Sequence, residues 1–338
     1  MKNTRHQSRV ASHAVAAVMC AALLALAGSV HAAQGGAAGD PAPGYPARPI
    51  RFIVPFPPGG SNDIMARYFA HYLTERFGRQ VVIDNRGGAD GIIGTEIVAR
   101  SQPDGYTLLL ASAAFAVNGA TRKLPYDPLK SFDWAGMLGY GPSVLSVGPS
   151  LKVGSTKELL AHGRANPGKL TLATSGGYAL FASEYFNHLS GMKMLVVVYR
   201  GGFPALIDVM GGQAHVNLGS LIQTLPHMNS GKLTALATSG SKRSSAAPDL
   251  PTIAEAGVTG YEANNTWAVA VPAGTPAGVI AKLNAEIAKY LALPETKKRF
   301  TAEGADTDPR TPAEVRKMLL VEMEKWANVA KVANIRTQ

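Results

Sequence analysis

The hydrophobic pattern changes period early in the chain. A short β-branched and aromatic run, residues 50–54, has the length and composition of a strand buried inside a sheet. From 64 to 77 the apolar residues recur at helical spacing, which predicts an amphipathic helix. The residues between these segments read FPPGGSND and predict a stiff turn. The side chains able to cap the helix are those of Ser61, Asn62 and Asp63.

This turn is the first candidate for a binding site. Its glycines allow a guest to approach the backbone, and the free N–H groups of the following helix point out of the turn. A helix N-terminus carries about half a positive charge, so the geometry suits a carboxylate or a phosphate. The plain alternative is a tight strand-to-helix connection. No Walker or dinucleotide fingerprint is present in the turn.

The same alternation of strand and helix patterns continues to about residue 271. Further strands are predicted at 81–84, 106–110, 134–140, 144–147, 170–173, 194–198, 214–218, 233–237 and 267–271. Further helices are predicted at 92–100, from 155, at 179–189, at 204–210, and up to 229. After the last strand the pattern predicts helices only, at 276–291, 294–303 and 312–332. Residues 111–113 are predicted as a loop.

This order predicts an α/β fold with right-handed crossovers and mostly parallel sheets. Two series of elements indicate two domains, joined by crossing strands near 140–147 and 264–272. We assign 45–143 with 266–338 to domain 1, and 144–265 to domain 2. In such sheets ligands bind beyond the carboxyl ends of the strands, so we expect the site between the domains.

The N-terminus predicts export. Three basic residues precede an apolar run that ends in small residues, the pattern of a cleaved signal peptide over 1–32, and a flexible leader follows at 33–44. The mature chain is therefore expected to be soluble and periplasmic. The only cysteine of the full sequence, Cys20, lies inside the predicted signal peptide, so no disulfide or thiol chemistry is expected in the mature chain.

Composition and motifs favour recognition over reaction. The 338 residues are 46% apolar and carry a net charge of +10, but Lys and Arg are scattered, so no nucleic-acid partner is indicated. No histidine is spaced as a metal ligand, and no nucleophile elbow is present. We predict no catalytic residue, no metal and no cofactor. Asp63 and Asp90 are the acids that could form an acid/base pair in a cleft.

From residue 45 to the end, the chain resembles the Bug (TctC-type) extracytoplasmic solute-binding proteins of tripartite tricarboxylate transporters. The resemblance rests on segments that match in order. They are YPARPI at 45–50, PFPPGG at 55–60, DNRG at 84–87, PDGYTL at 103–108, LPYDP at 124–128, PGKL at 167–170, GGQ at 211–213, SKR at 241–243, PDLPT at 248–252, EAG at 255–257 and PAGTP at 272–276.

The resemblance implies a two-domain, type II-like Venus flytrap that closes on a small carboxylate and delivers it to membrane permease subunits. The ligand would be a di- or tricarboxylate, an amino acid or an aromatic acid, and the receptor a monomer. Carried onto this chain, the contacts in domain 1 would be Phe56, Gly59, Gly60, Ser61, Asn62, Asp63, Ser112 and Ala113. Those in domain 2 would be Ser175, Gly176, Gly177, Tyr178, Tyr199, Arg200, Gly201, Gly219 and Ser220.

Two departures from the family pattern concern specificity. The family usually has a longer polar loop with a histidine where this chain has 175–180, and commonly an aspartate in place of Gly219. Both changes remove polar groups and favour an apolar or aromatic carboxylate. Tyr178 is then either a stacking surface for the ligand or a residue packed under its own helix.

Two other functions stay open at this stage. A secreted enzyme would use Asp63 and Asp90 as its acid/base pair. A co-receptor would present its ligand to a sensor kinase, in place of or besides a transporter.

Overall fold

The computed structural model describes residues 40–335. The predicted signal peptide and most of the predicted leader lie outside this range. The described strands are β1 (Ile50–Val54), β2 (Val81–Asn85), β3 (Thr107–Ser112), β4 (Phe132–Val147), β5 (Thr171–Ser175), β6 (Leu195–Tyr199), β7 (Val216–Ser220), β8 (Thr234–Thr238), β9 (Asn264–Pro272) and β10 (Asp306–Arg310).

The described α-helices begin after most of these strands. They are α1 (Ser61–Phe77), α2 (Ile92–Ala99), α3 (Ala113–Thr121), α4 (Thr156–Ala165), α5 (Tyr178–Ser190), α6 (Gly202–Met210), α7 (Leu221–Asn229), α8 (Ala277–Ala292), α9 (Pro294–Ala302) and α10 (Pro312–Val332). A short 3₁₀ turn, Ala89–Gly91, precedes α2. None of the helices within residues 40–335 is both long enough and apolar enough to cross a membrane.

The strands follow the order β2-β1-β3-β9-β4-β7-β5-β6, and β10 and β8 also pair with β4. β1 is parallel to β2 and β3, and β5 is parallel to β6 and β7. The long strands β4 and β9 run antiparallel to their neighbours and to each other. The fold is therefore the two-domain α/β fold predicted from the sequence, with mixed sheets: among the described strands four pairings are parallel and five are antiparallel.

β4 divides the molecule into two lobes. Its residues 132–142 pair with β9, whereas residues 143–147 pair with β7 and β8. We call β1–β3, β9, β10 and residues 132–142 of β4, with the helices packed on them, the first lobe. The second lobe comprises β5–β8 and residues 143–147 of β4, with their helices. The exact domain boundaries stay a prediction.

Each lobe has a buried core. In the first lobe the Phe52 ring of β1 lies edge-on to Phe69 of α1, with ring centroids 6.4 Å apart, and this contact anchors the predicted amphipathic helix on the sheet. In the second lobe Leu172 of β5 and Phe186 of α5 are fully buried. The C-terminal helix α10 joins the two, because its fully buried Trp326 lies edge-on to Tyr178, with centroids 5.4 Å apart.

Three predicted elements were wrong. The two strands predicted at 134–140 and 144–147 are the single strand β4, because pairing with β9 continues through Gly141 and Pro142. The glycine is needed for close packing, since a Cβ there would lie 2.6 Å from the Trp267 ring. The expected loop at 111–113 contains the end of β3 and the start of α3. The C-terminal region also holds β10, a polar edge strand that only its tertiary pairing with β4 reveals.

Candidate functional site

A cavity of about 190 Å³ lies between the lobes, at the carboxyl ends of the parallel strands. β1, β3, β5 and β7 each end near it, and the chain then turns into a helix. The wall residues are Phe56, Ser61, Asn62, Asp90, Ser112, Ala114, Gly141, Ser143, Thr174, Ser175, Gly176, Gly177, Tyr178, Ala179, Gly202, Asn217, Leu218, Gly219, Ser220, Gln223 and Asn265.

Five helices begin at this wall. The helices α1, α3, α5, α6 and α7 start at or beside wall residues, and in none of them does the side chain of the N-cap residue accept a hydrogen bond from the first turn. In α3 the Ala113 N–H donates instead to Asn265 Oδ1, at 3.3 Å. Of the helices that start away from the cavity, α4 and α10 are capped by Ser155 and Thr311, whereas α8 and α9 have no side-chain cap. Uncapped N-termini present N–H donors and partial positive charge, so the cavity can bind an acceptor-rich or anionic group.

The expected side-chain cap of α1 is wrong. Its N-cap residue is Gly60, which makes no side-chain capping bond. Asp63 instead folds back to accept a hydrogen bond from the Gly59 N–H (2.9 Å), and it also binds Arg67 (2.8 Å) and Asn85 (2.9 Å). Burial by itself raises the pKa of Asp63, but these hydrogen bonds outweigh burial and lower the pKa below its usual value.

The charge at the wall is small. Among the described residues on the wall, Asp90 is the only one with a charged side chain. Its carboxylate binds the Arg122 guanidinium at 2.5 Å, and its backbone carbonyl accepts a hydrogen bond from Asn118 (3.0 Å). Backbone amides, hydroxyls and side-chain amides therefore provide the recognition chemistry of the cavity.

On the second lobe, Asn217 sets the shape of the wall. Its Nδ2 donates to the Ala173 carbonyl at 3.0 Å, whereas its buried Oδ1 has no partner among the described residues. A Cβ at position 219 would lie 2.3 Å from that oxygen. Gly219, the departure from the family pattern, is therefore required by the orientation of the neighbouring asparagine.

Tyr178 belongs mainly to the core. Its side chain is only 9% exposed, its ring lies edge-on to Trp326, and its hydroxyl is buried without a partner in the described part of the chain. Burial raises its pKa, so the phenol stays neutral. Of the two roles considered for Tyr178, the structure favours packing under its own helix.

The structure brings many of the predicted site residues to the cavity wall. These are Phe56, Ser61, Asn62, Ser112, Ser175, Gly176, Gly177, Tyr178, Gly219 and Ser220. It places the others off the wall: Gly59, Gly60, Asp63, Ala113, Tyr199, Arg200 and Gly201. Tyr199 donates instead to Asp208 at 2.7 Å. The ligand-binding role of each predicted residue stays a prediction.

Sequence reasoning missed wall residues on the strands. Asn217 lies inside β7 and Asn265 near the start of β9, whereas the sequence-based prediction placed the site in loops. A polar residue within an apolar strand was the available signal for Asn217. Asp90 was considered as a cleft acid of a possible enzyme but not as a ligand-binding residue. Within residues 40–335, no group of three His, Cys, Asp or Glu side chains could hold a metal ion.

The fold and this cavity define a class: two-lobed binding proteins that enclose a small solute in the cleft. The chain belongs to the tripartite tricarboxylate transporter family receptors (TctC), whose family model matches residues 65–335. It is 39% identical over 314 residues to protein BugT of Bordetella pertussis, covering 91% of this chain and 96% of the relative.

Solved structures agree with this assignment. The chain is similar to Rpa4515 of R. palustris, solved with adipate, with a TM-score of 0.80, 32% identity, and coverage of 86% of this chain and 98% of that one. It is also similar to MatC from Rhodopseudomonas palustris with bound malate, with a TM-score of 0.75, 27% identity, and coverage of 84% and 99%. Members of the family are periplasmic binding proteins.

Proposed function

We propose that this chain is a periplasmic receptor that captures a short dicarboxylate and delivers it to the permease of a tripartite tricarboxylate transporter. One observation carries the proposal. Five helix N-termini without an N-cap side-chain bond meet at a cavity whose described wall residues include no Lys, Arg or His. An anion is the guest that such a set of N–H donors stabilises.

The size and the two-sided wall support a short ligand with two acceptor groups. A volume of about 190 Å³ holds roughly six water molecules at about 30 Å³ each. Ser61 and Asn62 supply polar groups from the first lobe, and Ser175 and Ser220 supply them from the second. The relatives solved with adipate and malate bind dicarboxylates, and we extend that ligand class to this chain.

The family and the N-terminus support the proposed cell compartment and partner. The predicted signal peptide at 1–32 supports export, and the description of the matching family supports a transporter partner. The position of Asp63 supports binding over catalysis, because this acid lies off the cavity wall and is held by Arg67. The proposed role is therefore capture and delivery, without turnover of the ligand.

Isothermal titration of the purified chain tests this proposal. We expect adipate or malate to bind, and adipamide, the neutral diamide of adipic acid, to bind at least tenfold more weakly. The affinity for benzoate tests the preference for an aromatic carboxylate that the sequence favours. The affinity for citrate tests whether the site accepts a third carboxylate group. At 100 times its dissociation constant a ligand should stabilise the fold by about 2.7 kcal/mol. Binding of adipamide without binding of either dicarboxylate would contradict the proposal.

A further inference from the structure

Asn62 is fixed in one orientation at the cavity wall. It lies in the first turn of α1, and its Oδ1 accepts hydrogen bonds from Trp267 Nε1 (2.8 Å) and Asn265 Nδ2 (3.1 Å). An indole N–H can only donate, so the atom facing Trp267 must be the oxygen of the Asn62 amide. Trp267 is 1% exposed and lies in strand β9 of the first lobe, so the donor itself is held by the core.

Asn265 is oriented in the same way. Its Oδ1 accepts a hydrogen bond from the Ala113 N–H at the start of α3, at 3.3 Å. A backbone N–H also can only donate, so this bond places the Asn265 oxygen toward α3 and its Nδ2 toward Asn62. The bonds form a chain that runs from the α3 N-terminus to Asn265 and on to Asn62. A flip of either amide would set two donors or two acceptors against each other.

We propose that Trp267 and Asn265 are positioning residues that hold Asn62 so that its Nδ2 donates to a carboxylate oxygen of the ligand. This inference rests on the proposed function. Asn62 is on the wall, and no described residue accepts a hydrogen bond from its Nδ2. Because both donors occupy the oxygen, the amide cannot turn to offer an acceptor. This side of the cavity therefore offers donors only, which favours a carboxylate with two acceptor oxygens over a primary amide with one acceptor oxygen and an NH₂ donor.

Asn62→Asp tests the donor directly. The aspartate keeps an oxygen for Trp267 and Asn265 but replaces the NH₂ donor by a second oxygen. We expect adipate affinity to fall about a hundredfold, since a charge-assisted hydrogen bond is lost and a negative charge faces the ligand. The melting temperature should change little, because both structural bonds remain. Unchanged adipate affinity in this variant would overturn the inference.

Trp267→Phe tests the positioning, and Trp326→Phe is its matched control. Trp326 is also fully buried, and its Nε1 also donates at 2.8 Å, but to Glu322, away from the cavity wall. We expect Trp267→Phe to weaken adipate binding about tenfold and to reduce the preference for adipate over adipamide, because the amide can then flip. The control should keep that preference. Equal selectivity in the two variants would assign Trp267 a packing role only.

A measurement without ligand separates this inference from the proposed function. In ¹H–¹⁵N spectra of the wild type, the Trp267 indole proton should exchange slowly with solvent, and Asn62→Asp should shift it downfield. If these signs appear but adipate and malate do not bind, the positioning stands and the proposed function fails. If a dicarboxylate binds, but the indole proton exchanges rapidly with solvent and its chemical shift is the same in Asn62→Asp, the positioning is wrong. Because this measurement uses the wild type and Asn62→Asp, it tests the positioning even if Trp267→Phe does not fold.

Discussion

At the scale of single residues, the shape of the cavity depends on the absence of a side chain at Gly219. The Asn217 amide is anchored on the Ala173 carbonyl, so its Oδ1 cannot move away without loss of that hydrogen bond. A Cβ at 219 would also lie 3.4 Å from the Thr224 hydroxyl. Together these contacts leave no room on this part of the wall for any residue larger than glycine.

We therefore expect Gly219→Ala to weaken ligand binding and to lower stability. The added methyl group would displace the Asn217 amide, which costs about 1 kcal/mol for the lost hydrogen bond. We expect adipate affinity to fall at least tenfold by titration calorimetry. Gly154→Ala is the matched control, because a Cβ there would lie 3.9 Å from its nearest neighbour, Glu158 Oε2, and Gly154 lies off the wall. Equal affinity in the two variants would show that the displacement does not reach the ligand.

At the scale of elements, two charge pairs hold the loops that shape the wall. Asp63 ties the first turn of α1 to β2 through Asn85, and to the preceding turn through Gly59. Asp90 ties the turn before α2 to Arg122, which follows α3. The Asp63–Arg67 pair has the i,i+4 spacing of a helix and is visible in the sequence. The bonds of Asp63 to Asn85 and of Asp90 to Arg122 are not, because only the tertiary fold brings those residues together.

The Asp63 pair predicts loss of stability in acid. The pKa of Asp63 in the folded state lies below its ordinary value of 3.8, so the stabilisation is fully present above pH 3.8 and is lost as the pH falls through the folded-state pKa. At pH 7 we expect Asp63→Asn to be less stable than the wild type by about 2 kcal/mol in urea unfolding. The difference should shrink steadily below pH 3.8. A constant difference from pH 7 to pH 2.5 would show that this carboxylate does not carry the acid sensitivity.

The Asp90 pair predicts an electrostatic effect on binding. Arg122→Met would leave the Asp90 carboxylate uncompensated on the wall of an anion site, so we expect adipate affinity to fall between threefold and about tenfold. Salt should reduce this loss, because it screens partly exposed charges. The double variant Arg122→Met/Asp90→Asn removes the repulsion and should recover most of the affinity. A loss of the same size in the double variant would point to a change of loop structure.

At the scale of the whole molecule, the sequence was sufficient for the fold class. Strong periodicity predicted α1, and the alternation of elements predicted the parallel arrangement and the crossing strands. Sequence-based prediction failed at β10, because its sequence, DTDPR, lacks a strand pattern. This segment is a strand only through its pairing with β4. The prediction also failed at β4, where glycines that serve close packing resembled a chain break.

The candidate site was predictable where it is made of turns and helix starts. Residues at the ends of β1, β3, β5 and β7 reached the wall because parallel strands end at one edge of a sheet. The hydrogen-bonded set of Asn62, Asn265 and Trp267 was not predictable, because about two hundred residues separate Asn62 from the other two along the chain. Contacts between distant segments also place Trp326 against Tyr178 and Ser245 against Asp306, where the two lobes meet.

A crystal structure of the chain grown with adipate tests the central claim most directly. We predict that the ligand lies in the cavity between the lobes, with one carboxylate within hydrogen-bond distance of Asn62 Nδ2 and the N-terminus of α1. The other carboxylate should contact the N-terminal amides of α5 or α7. Density for adipate outside this cavity, or within it but with neither carboxylate near a helix N-terminus, would contradict the account.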